Sequence, residues 1–213
     1  MKKNTFTVIT LAGLIIAVVA ILITWPANRP DIVTGTLLTQ PKSLPAFDFV
    51  NHHGESFTQI DFLGQWSLMF TGFTTCPDIC PATMPILNEL DEKLRTNGTR
   101  LKMILLSVDP ERDTPEVLAS YVEFFNRSMI GVTGDLSAIE KFCDEIGMSF
   151  IHIPATEGRY TVEHTGALVL VDPRGRITAY FKPPFDTGRL AKDLQSVAGR
   201  GKLSMLNSAM ISP

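Results

Sequence analysis

The pattern of apolar and polar positions along the chain predicts an α/β protein. Two largely apolar segments, at 67–73 and 101–108, are typical of buried strands. Residues 46–50 alternate between apolar and polar and are followed by a turn, so we expect a hairpin with residues 56–58. Shorter strands are predicted at 129–132, 149–153, 160–162, 167–171 and 176–181, the second and third of these as a hairpin.

Four helices are predicted between these strands. The first begins near Pro81 or Ala82 and presents an apolar stripe at spacings of three and four residues before Asn97-Gly98 ends it. Thr114-Pro115-Glu116 opens a second helix to about Phe125, Asp135 caps a third that runs to Gly147, and the fourth spans about 186–197. The resulting order, β-α-β-α-β-α-β-β-α, predicts a three-layer α/β fold with a central mixed sheet.

The N-terminal segment differs from the rest of the chain. Residues 6–25 carry no charge and are long enough to cross a hydrocarbon layer of about 30 Å. A cleaved signal peptide is the alternative, although its apolar stretch is usually only about 7–15 residues long. We therefore divide the chain into an anchor at 1–27, a linker at 28–44, a globular domain at 45–198 and a mobile C-terminal tail at 199–213.

The distribution of charge predicts the side of the membrane on which the domain lies and argues against a nucleic-acid partner. Lys2 and Lys3 precede the apolar segment, so the positive-inside rule predicts a cytoplasmic N-terminus in the inner membrane and a domain on the periplasmic side. Without these two lysines, 17 basic residues remain against 22 acidic ones, a net charge of about −5. Since no segment has dense basic patterning, we expect no nucleic-acid partner.

Candidate chemistry begins with Cys76 and Cys80, which follow the first long apolar strand and precede a helix. Amide dipoles at a helix N-terminus favour a thiolate, whereas Asp78 between the cysteines opposes it. A thiol pair in this position can perform redox chemistry, form a short disulfide or hold a soft metal. The third cysteine, Cys143, is predicted to be a small buried apolar residue of a helix.

A histidine supplies a further candidate ligand. His164 stands at the entrance to the 167–171 strand, which in a sheet of this layout lies near the cysteine loop. Two thiolates and an imidazole form a three-coordinate set that copper(I) accepts and that makes copper(II) tolerable. Zinc remains possible, although a structural zinc site usually has a fourth ligand. His52 and His53 are predicted to occupy a solvated turn, and His152 the polar face of a strand.

Three segments in order resemble the Sco/SenC family, the thioredoxin-fold copper proteins of cytochrome c oxidase assembly. Residues 75–81, Thr-Cys-Pro-Asp-Ile-Cys-Pro, match its cysteine motif. Residues 107–115, Ser-Val-Asp-Pro-Glu-Arg-Asp-Thr-Pro, resemble its second motif, for which helix capping is the simplest role. His164-Thr165, followed by a strand that ends at residues 171–175, matches the third. The resemblance covers about residues 45–197 and implies a thioredoxin-like fold.

The resemblance also implies a function. Copper would be bound by Cys76, Cys80 and His164, loaded by an upstream donor, and delivered to the binuclear copper site of oxidase subunit II. We expect a monomer anchored by its N-terminal helix. The alternative is a thiol-disulfide oxidoreductase that keeps the cysteines of that site reduced, so the resemblance does not decide whether the protein is an enzyme. A thiol peroxidase on the same fold is disfavoured. Such an enzyme is expected to have a threonine three positions before its peroxidatic cysteine, and Phe73 occupies that position before Cys76.

Overall fold

An eight-stranded mixed sheet forms the centre of the protein in the computed structural model, which describes residues 32–154 and 160–209, the last ten as backbone only. The predicted anchor at 1–27 lies outside the described residues. Within the described ranges, no helix combines the length and the apolar character that a membrane crossing requires.

Ten strands, four α-helices and a short 3-10 helix (Gln59–Phe62) are found in the described part of the chain. The strands are β1 (Gly35–Ser43), β2 (Asp48–Asn51), β3 (Ser56–Thr58), β4 (Ser67–Gly72), β5 (Lys102–Ser107), β6 (Ile130–Thr133), β7 (Phe150–Pro154), β8 (Tyr160–His164), β9 (Leu168–Val171) and β10 (Arg176–Phe181). The helices are α1 (Ile79–Thr96), α2 (Pro115–Phe125), α3 (Leu136–Glu145) and α4 (Thr187–Ala209). The main sheet has the order β1-β10-β9-β4-β5-β6-β2-β3, and β7 and β8 form the predicted hairpin as a separate two-stranded sheet.

The directions of the central strands decide which loops meet. Strands β4, β5 and β6 run parallel, as expected for the β-α-β order. Strand β9 runs antiparallel to β4, and Phe70 pairs with Leu168 near the end of β4 and the start of β9. The loop that leaves β4 and the segment that enters β9 therefore lie at the same edge of the sheet.

The core fills both faces of the sheet. In β4, Leu68 and Phe70 contact one apolar cluster, which includes residues of α1, α2 and α4. Met69 points to the opposite face and contacts a second cluster with α3 and the β2–β3 hairpin. Side chains of a strand alternate between faces, so a strand buried on both faces shows the largely apolar segment seen at 67–73. The predicted mixed sheet between helical layers is confirmed.

The predicted linker at 28–44 is wrong for its second half. Residues Gly35–Ser43 form β1, which pairs antiparallel with β10 at the edge of the sheet. The backbone N–H groups of Val33 and Thr34 also donate to the Asp193 carboxylate on α4, at 3.0 and 2.7 Å. An edge strand is largely solvent-exposed, and the register of β1 shifts between Leu37 and Lys42, so the strand lacks a regular alternation.

The closing helix is longer than predicted. The sequence suggests an end near Val197, followed by a mobile tail at 199–213, whereas α4 continues to Ala209. Gly199 and Gly201 explain the discrepancy, because a glycine lowers helix stability by only about 1 kcal/mol relative to alanine and does not prevent helix formation. Residues 210–213 lie outside the described residues.

Among the histidines outside the candidate centre, His52 differs from expectation. His52 is buried rather than solvated, and its Nδ1 accepts a hydrogen bond from the Gly131 N–H at 3.0 Å. Burial lowers the pKa of His52, so the neutral imidazole is favoured. His53 is exposed, as predicted for a turn. His152 is partly buried, and its Nε2 donates to the Val108 carbonyl at 3.1 Å.

Candidate metal centre

The loop between β4 and α1 carries the two cysteines in different environments. Cys76 lies in the loop and is partly exposed, while Cys80 is fully buried in the first turn of α1. The helix begins at Ile79, two residues earlier than predicted, with Asp78 at the N-cap position. Pro81 falls in the first turn, where its missing N–H removes no helical hydrogen bond, whereas Pro85 lies inside the helix. The first turn of α1 therefore determines the position of the buried Cys80 sulfur.

His164 meets the cysteines as the sheet topology predicts. Its Nε2 lies 3.6 Å from the Sγ of Cys80, and the three potential ligand atoms of Cys76, Cys80 and His164 all lie within 4.8 Å of one another. Metal–sulfur and metal–nitrogen bonds of about 2.3 and 2.0 Å place two such ligands roughly 3.7 Å apart around one ion. The arrangement therefore needs little movement to enclose a metal.

The position of His164 is fixed by its neighbours at the end of β8. The Thr165 N–H donates to the Ser149 carbonyl at 2.9 Å, and the Thr71 hydroxyl donates to the Thr165 carbonyl at 3.1 Å. The imidazole meets the rings of Phe70 and Phe73 edge to face, with centroids 6.0 and 5.8 Å away. The two phenylalanine rings and the backbone hydrogen bonds of Thr165 thus orient the imidazole with its Nε2 toward the sulfurs.

Burial dominates the electrostatics of the centre. It raises the pKa of the Cys80 thiol well above its ordinary value, and the neighbouring Cys76 adds to this effect. Desolvation, which the sequence does not reveal, is the largest cause of this shift. Burial lowers the pKa of His164, so its imidazole is neutral at physiological pH and can act as a ligand. A metal would have to displace the proton of Cys80.

A glycine makes room for the buried sulfur. A Cβ atom added at Gly72, the last residue of β4, would lie 2.8 Å from the Cys80 Sγ and 3.0 Å from the Phe70 ring. A Cβ atom essentially never lies as close as 2.8 Å to another heavy atom of this kind, so a larger residue would force the sulfur or the strand to move. Gly72 is a site residue that sequence reasoning missed, although its place just before the cysteine loop is a signal for it.

We expect Gly72→Ala to weaken metal binding by about 10- to 100-fold, the range found when the support of a metal ligand is disturbed. The alanine displaces the Cys80 sulfur from the point that faces His164. Competition with a chelator of known copper affinity measures the change. Gly199→Ala in α4 is the matched control, because nothing lies within 4 Å of an added Cβ there. Equal affinities in the two variants would contradict the steric argument.

The segment after β5 does more than cap a helix. Thr114 caps α2 as predicted, and its hydroxyl accepts from the Val117 N–H. Asp109 and Asp113 are fully buried, however, and neither serves as this cap. Asp109 accepts hydrogen bonds from the side chains of Arg112 and of Tyr160, the latter at 2.6 Å. The Arg112 guanidinium lies 4.2 Å from the centre of the Tyr160 ring and 5.7 Å from that of Phe73, which contacts His164.

Cys143 takes no part in the centre. It is buried on α3, within the apolar cluster on the opposite face of the sheet from Cys80. Burial raises the pKa of its thiol to about 12, so it is an unreactive thiol at physiological pH. The prediction of a small buried apolar residue is confirmed.

The fold and the centre define a thioredoxin-like α/β protein in which two cysteines and a histidine converge on one point. The model of the SCO1/SenC family matches residues 36–199, and the chain belongs to this family. A Stutzerimonas stutzeri protein provisionally named as copper-binding is 32% identical, over 76% of this chain and 79% of its own. Protein sco1 of Schizosaccharomyces pombe is also 32% identical, and the match spans 78% of this chain but only 63% of that protein. The structure of Bradyrhizobium japonicum ScoI with copper bound is similar, with 29% identity, a TM-score of 0.66 and coverage of 72% of this chain and 98% of that chain.

Proposed function

We propose that this protein is a membrane-anchored copper chaperone. It carries copper on Cys76, Cys80 and His164 and delivers it to the binuclear copper site of cytochrome c oxidase subunit II during assembly. The observation that carries the proposal is the convergence of these three ligand atoms within 4.8 Å. In this proposal an upstream donor loads the monomeric protein, and the N-terminal segment holds its domain on the periplasmic side of the inner membrane.

The donor set favours copper over other metals. Two thiolate sulfurs and one imidazole nitrogen form a soft, low-coordinate set of the kind that copper(I) prefers. Among the described residues, the group of metal-ligating side chains at this point has three members, whereas a structural zinc site usually has four. Copper bound in relatives such as Bradyrhizobium japonicum ScoI supports the same assignment.

The surroundings of the centre suit transfer rather than permanent storage. Cys76 is partly exposed, so a ligand of the acceptor can approach the metal from the side of this residue. A groove of about 310 Å³, lined by residues of β7, β8 and Thr165, adjoins His164. Metal transfer by ligand exchange requires such access, because an acceptor ligand must bind before the last donor ligand leaves. Buried Cys80 would then be the last sulfur to release the metal.

Copper transfer tests the proposal directly. The reduced full-length protein, kept in detergent, is loaded with copper and mixed with the copper-free soluble domain of subunit II, after which the two are separated and analysed for metal. We expect one copper per chain before mixing, sulfur-to-copper charge-transfer absorption in the copper(II) form, and movement of most of the copper to subunit II. Failure to bind copper, or retention of all of it, would refute the chaperone function.

A second candidate function is a thiol-disulfide oxidoreductase. The Cys80 N–H lies 3.5 Å from the Cys76 Sγ and donates to it, so the more exposed sulfur is held next to the second cysteine. In this reaction the Cys76 thiolate attacks a disulfide of the partner, and the Cys80 thiol then resolves the mixed disulfide. Cys76 and Cys80 become oxidised to a disulfide, and the two partner cysteines become reduced thiols.

A further inference from the structure

We propose that Asp113 is a positioning residue that fixes the metal-binding loop through Thr74, two residues before Cys76. Its carboxylate would set the distance of the Cys76 sulfur from the other two ligands. The role in copper binding rests on the proposed function, whereas the role in positioning the sulfur does not depend on the metal.

The Asp113 carboxylate connects two segments of the chain at the edge of the sheet. Its Oδ1 accepts from the Thr74 hydroxyl at 2.5 Å, and its Oδ2 accepts from the Thr74 N–H at 3.0 Å. The same Oδ2 accepts from the Ser107 hydroxyl at 2.6 Å. Ser107 ends β5 and pairs with Gly72 at the end of β4. Asp113 thus joins the end of one strand to the loop that leaves its neighbour.

These hydrogen bonds are the main external support of the cysteine loop. The Cys76 N–H donates to the Phe73 carbonyl at 3.3 Å, which is a contact within the loop. Among the hydrogen bonds between described residues, those to Asp113 are the ones that tie residues 73–77 to a distant segment of the chain. Without them, Thr74 would lose its hydrogen bonds to Asp113, and Cys76 would be held by contacts within the loop and by its packing against the two apolar clusters.

Burying the Asp113 carboxylate has a free-energy cost, which supports a specific role for this residue in holding the loop. Asp113 is fully buried, and burial raises its pKa while the hydrogen bonds from Ser107 and Thr74 lower it. A buried carboxylate is unfavourable unless donors compensate it, and here the compensating donors come from the loop and from the strand end. Helix capping does not explain the residue, because Thr114 already caps α2.

The test compares two variants that break the link at either end. Thr74→Val keeps the shape of the side chain and removes its hydroxyl donor, while Asp113→Asn replaces an acceptor oxygen by a donor. In the full-length protein, we expect both to weaken copper binding by about 10- to 100-fold and to shift the sulfur-to-copper absorption. Thr74→Ser, which retains the hydroxyl, should bind copper like the unchanged protein.

Asp91→Asn is the control for a purely structural effect. Asp91 is also a buried carboxylate, and it accepts from Arg95 and from the Asn126 side chain. It lies eleven residues beyond Cys80 on α1, about 16 Å along the helix axis. We expect Asp91→Asn to lower the melting temperature and leave the copper spectrum and affinity unchanged. If Asp113→Asn and Thr74→Val behave like this control, the proposal is overturned.

A metal-free measurement separates this inference from the proposed function. Loosening the loop lowers the effective concentration of the two sulfurs relative to each other. We therefore expect the equilibrium constant for the Cys76–Cys80 disulfide in Thr74→Val to fall about tenfold, a change of roughly 30 mV in midpoint potential. If the unchanged protein binds no copper but Thr74→Val shows this shift in potential, the chaperone function is refuted and the positioning role of Asp113 stands. An unchanged potential would refute the positioning role, whatever the copper result.

Discussion

Replacing Cys80 by serine is expected to reduce copper affinity at least about a hundredfold, which corresponds to about 2.8 kcal/mol of binding free energy. The substitution exchanges a soft sulfur for a hard hydroxyl oxygen at the ligand that lies 3.6 Å from the His164 Nε2. The Cys80 side chain is fully buried, so water cannot readily take the place of its sulfur. Competition with a copper chelator measures the affinity, and loss of the sulfur-to-copper absorption provides an independent readout.

Cys143→Ser is the matched control for this prediction. Both cysteines are buried in apolar surroundings, so either substitution leaves a hydroxyl to be satisfied, at a cost of about 1–3 kcal/mol in the free energy of unfolding. Because Cys143 lies on the opposite face of the sheet, its substitution should lower the melting temperature and retain copper binding. Wild-type copper affinity in Cys80→Ser, or equal losses in the two variants, would contradict the assigned centre.

The parts of the fold that could be predicted from the sequence are those with strong local patterns. Strands β4 and β5 are buried on both faces and therefore appear as largely apolar segments without a polar alternation. Helices α2 and α3 begin at Thr114 and Asp135, whose side chains accept the hydrogen bonds expected of N-cap residues. The meeting of His164 with the cysteines could also be predicted, because it follows from the position of its strand beside β4.

The features that the sequence did not reveal depend on contacts between distant residues. Strand β1 is defined by its pairing with β10, and its exposed, irregular pattern resembles that of a linker. His52 stands in a turn motif, yet the turn packs against Gly131 and buries the ring. Asp113 resembles a residue of a capping segment until its hydrogen bonds to Thr74 are seen. Likewise, the desolvation that raises the pKa of the Cys80 thiol depends on tertiary packing, which the sequence does not display.

His164→Ala is expected to separate the chaperone from the oxidoreductase. The imidazole is the one nitrogen ligand of the proposed centre, and it is the ligand that makes copper(II) tolerable beside two sulfurs. We expect the variant to lose copper(II) affinity and copper delivery to subunit II nearly as completely as Cys80→Ser does. Copper(I) binding should fall less, because two thiolates can still hold this ion. The measurements are chelator competition in both oxidation states and the transfer assay with subunit II.

Thiol-disulfide exchange should respond differently, because its electrons move between sulfurs alone. His164→Ala retains Cys76, Cys80 and the hydrogen bond between them, so reduction of a disulfide substrate should remain close to the wild-type rate. His152→Ala is the control, since this partly buried histidine of the same hairpin donates to the Val108 carbonyl and lies outside the centre. If His164→Ala still supports oxidase maturation while either cysteine substitution abolishes it, the essential activity is reduction of the subunit II cysteines. If His164→Ala fails and His152→Ala succeeds, a copper ion must pass through this centre.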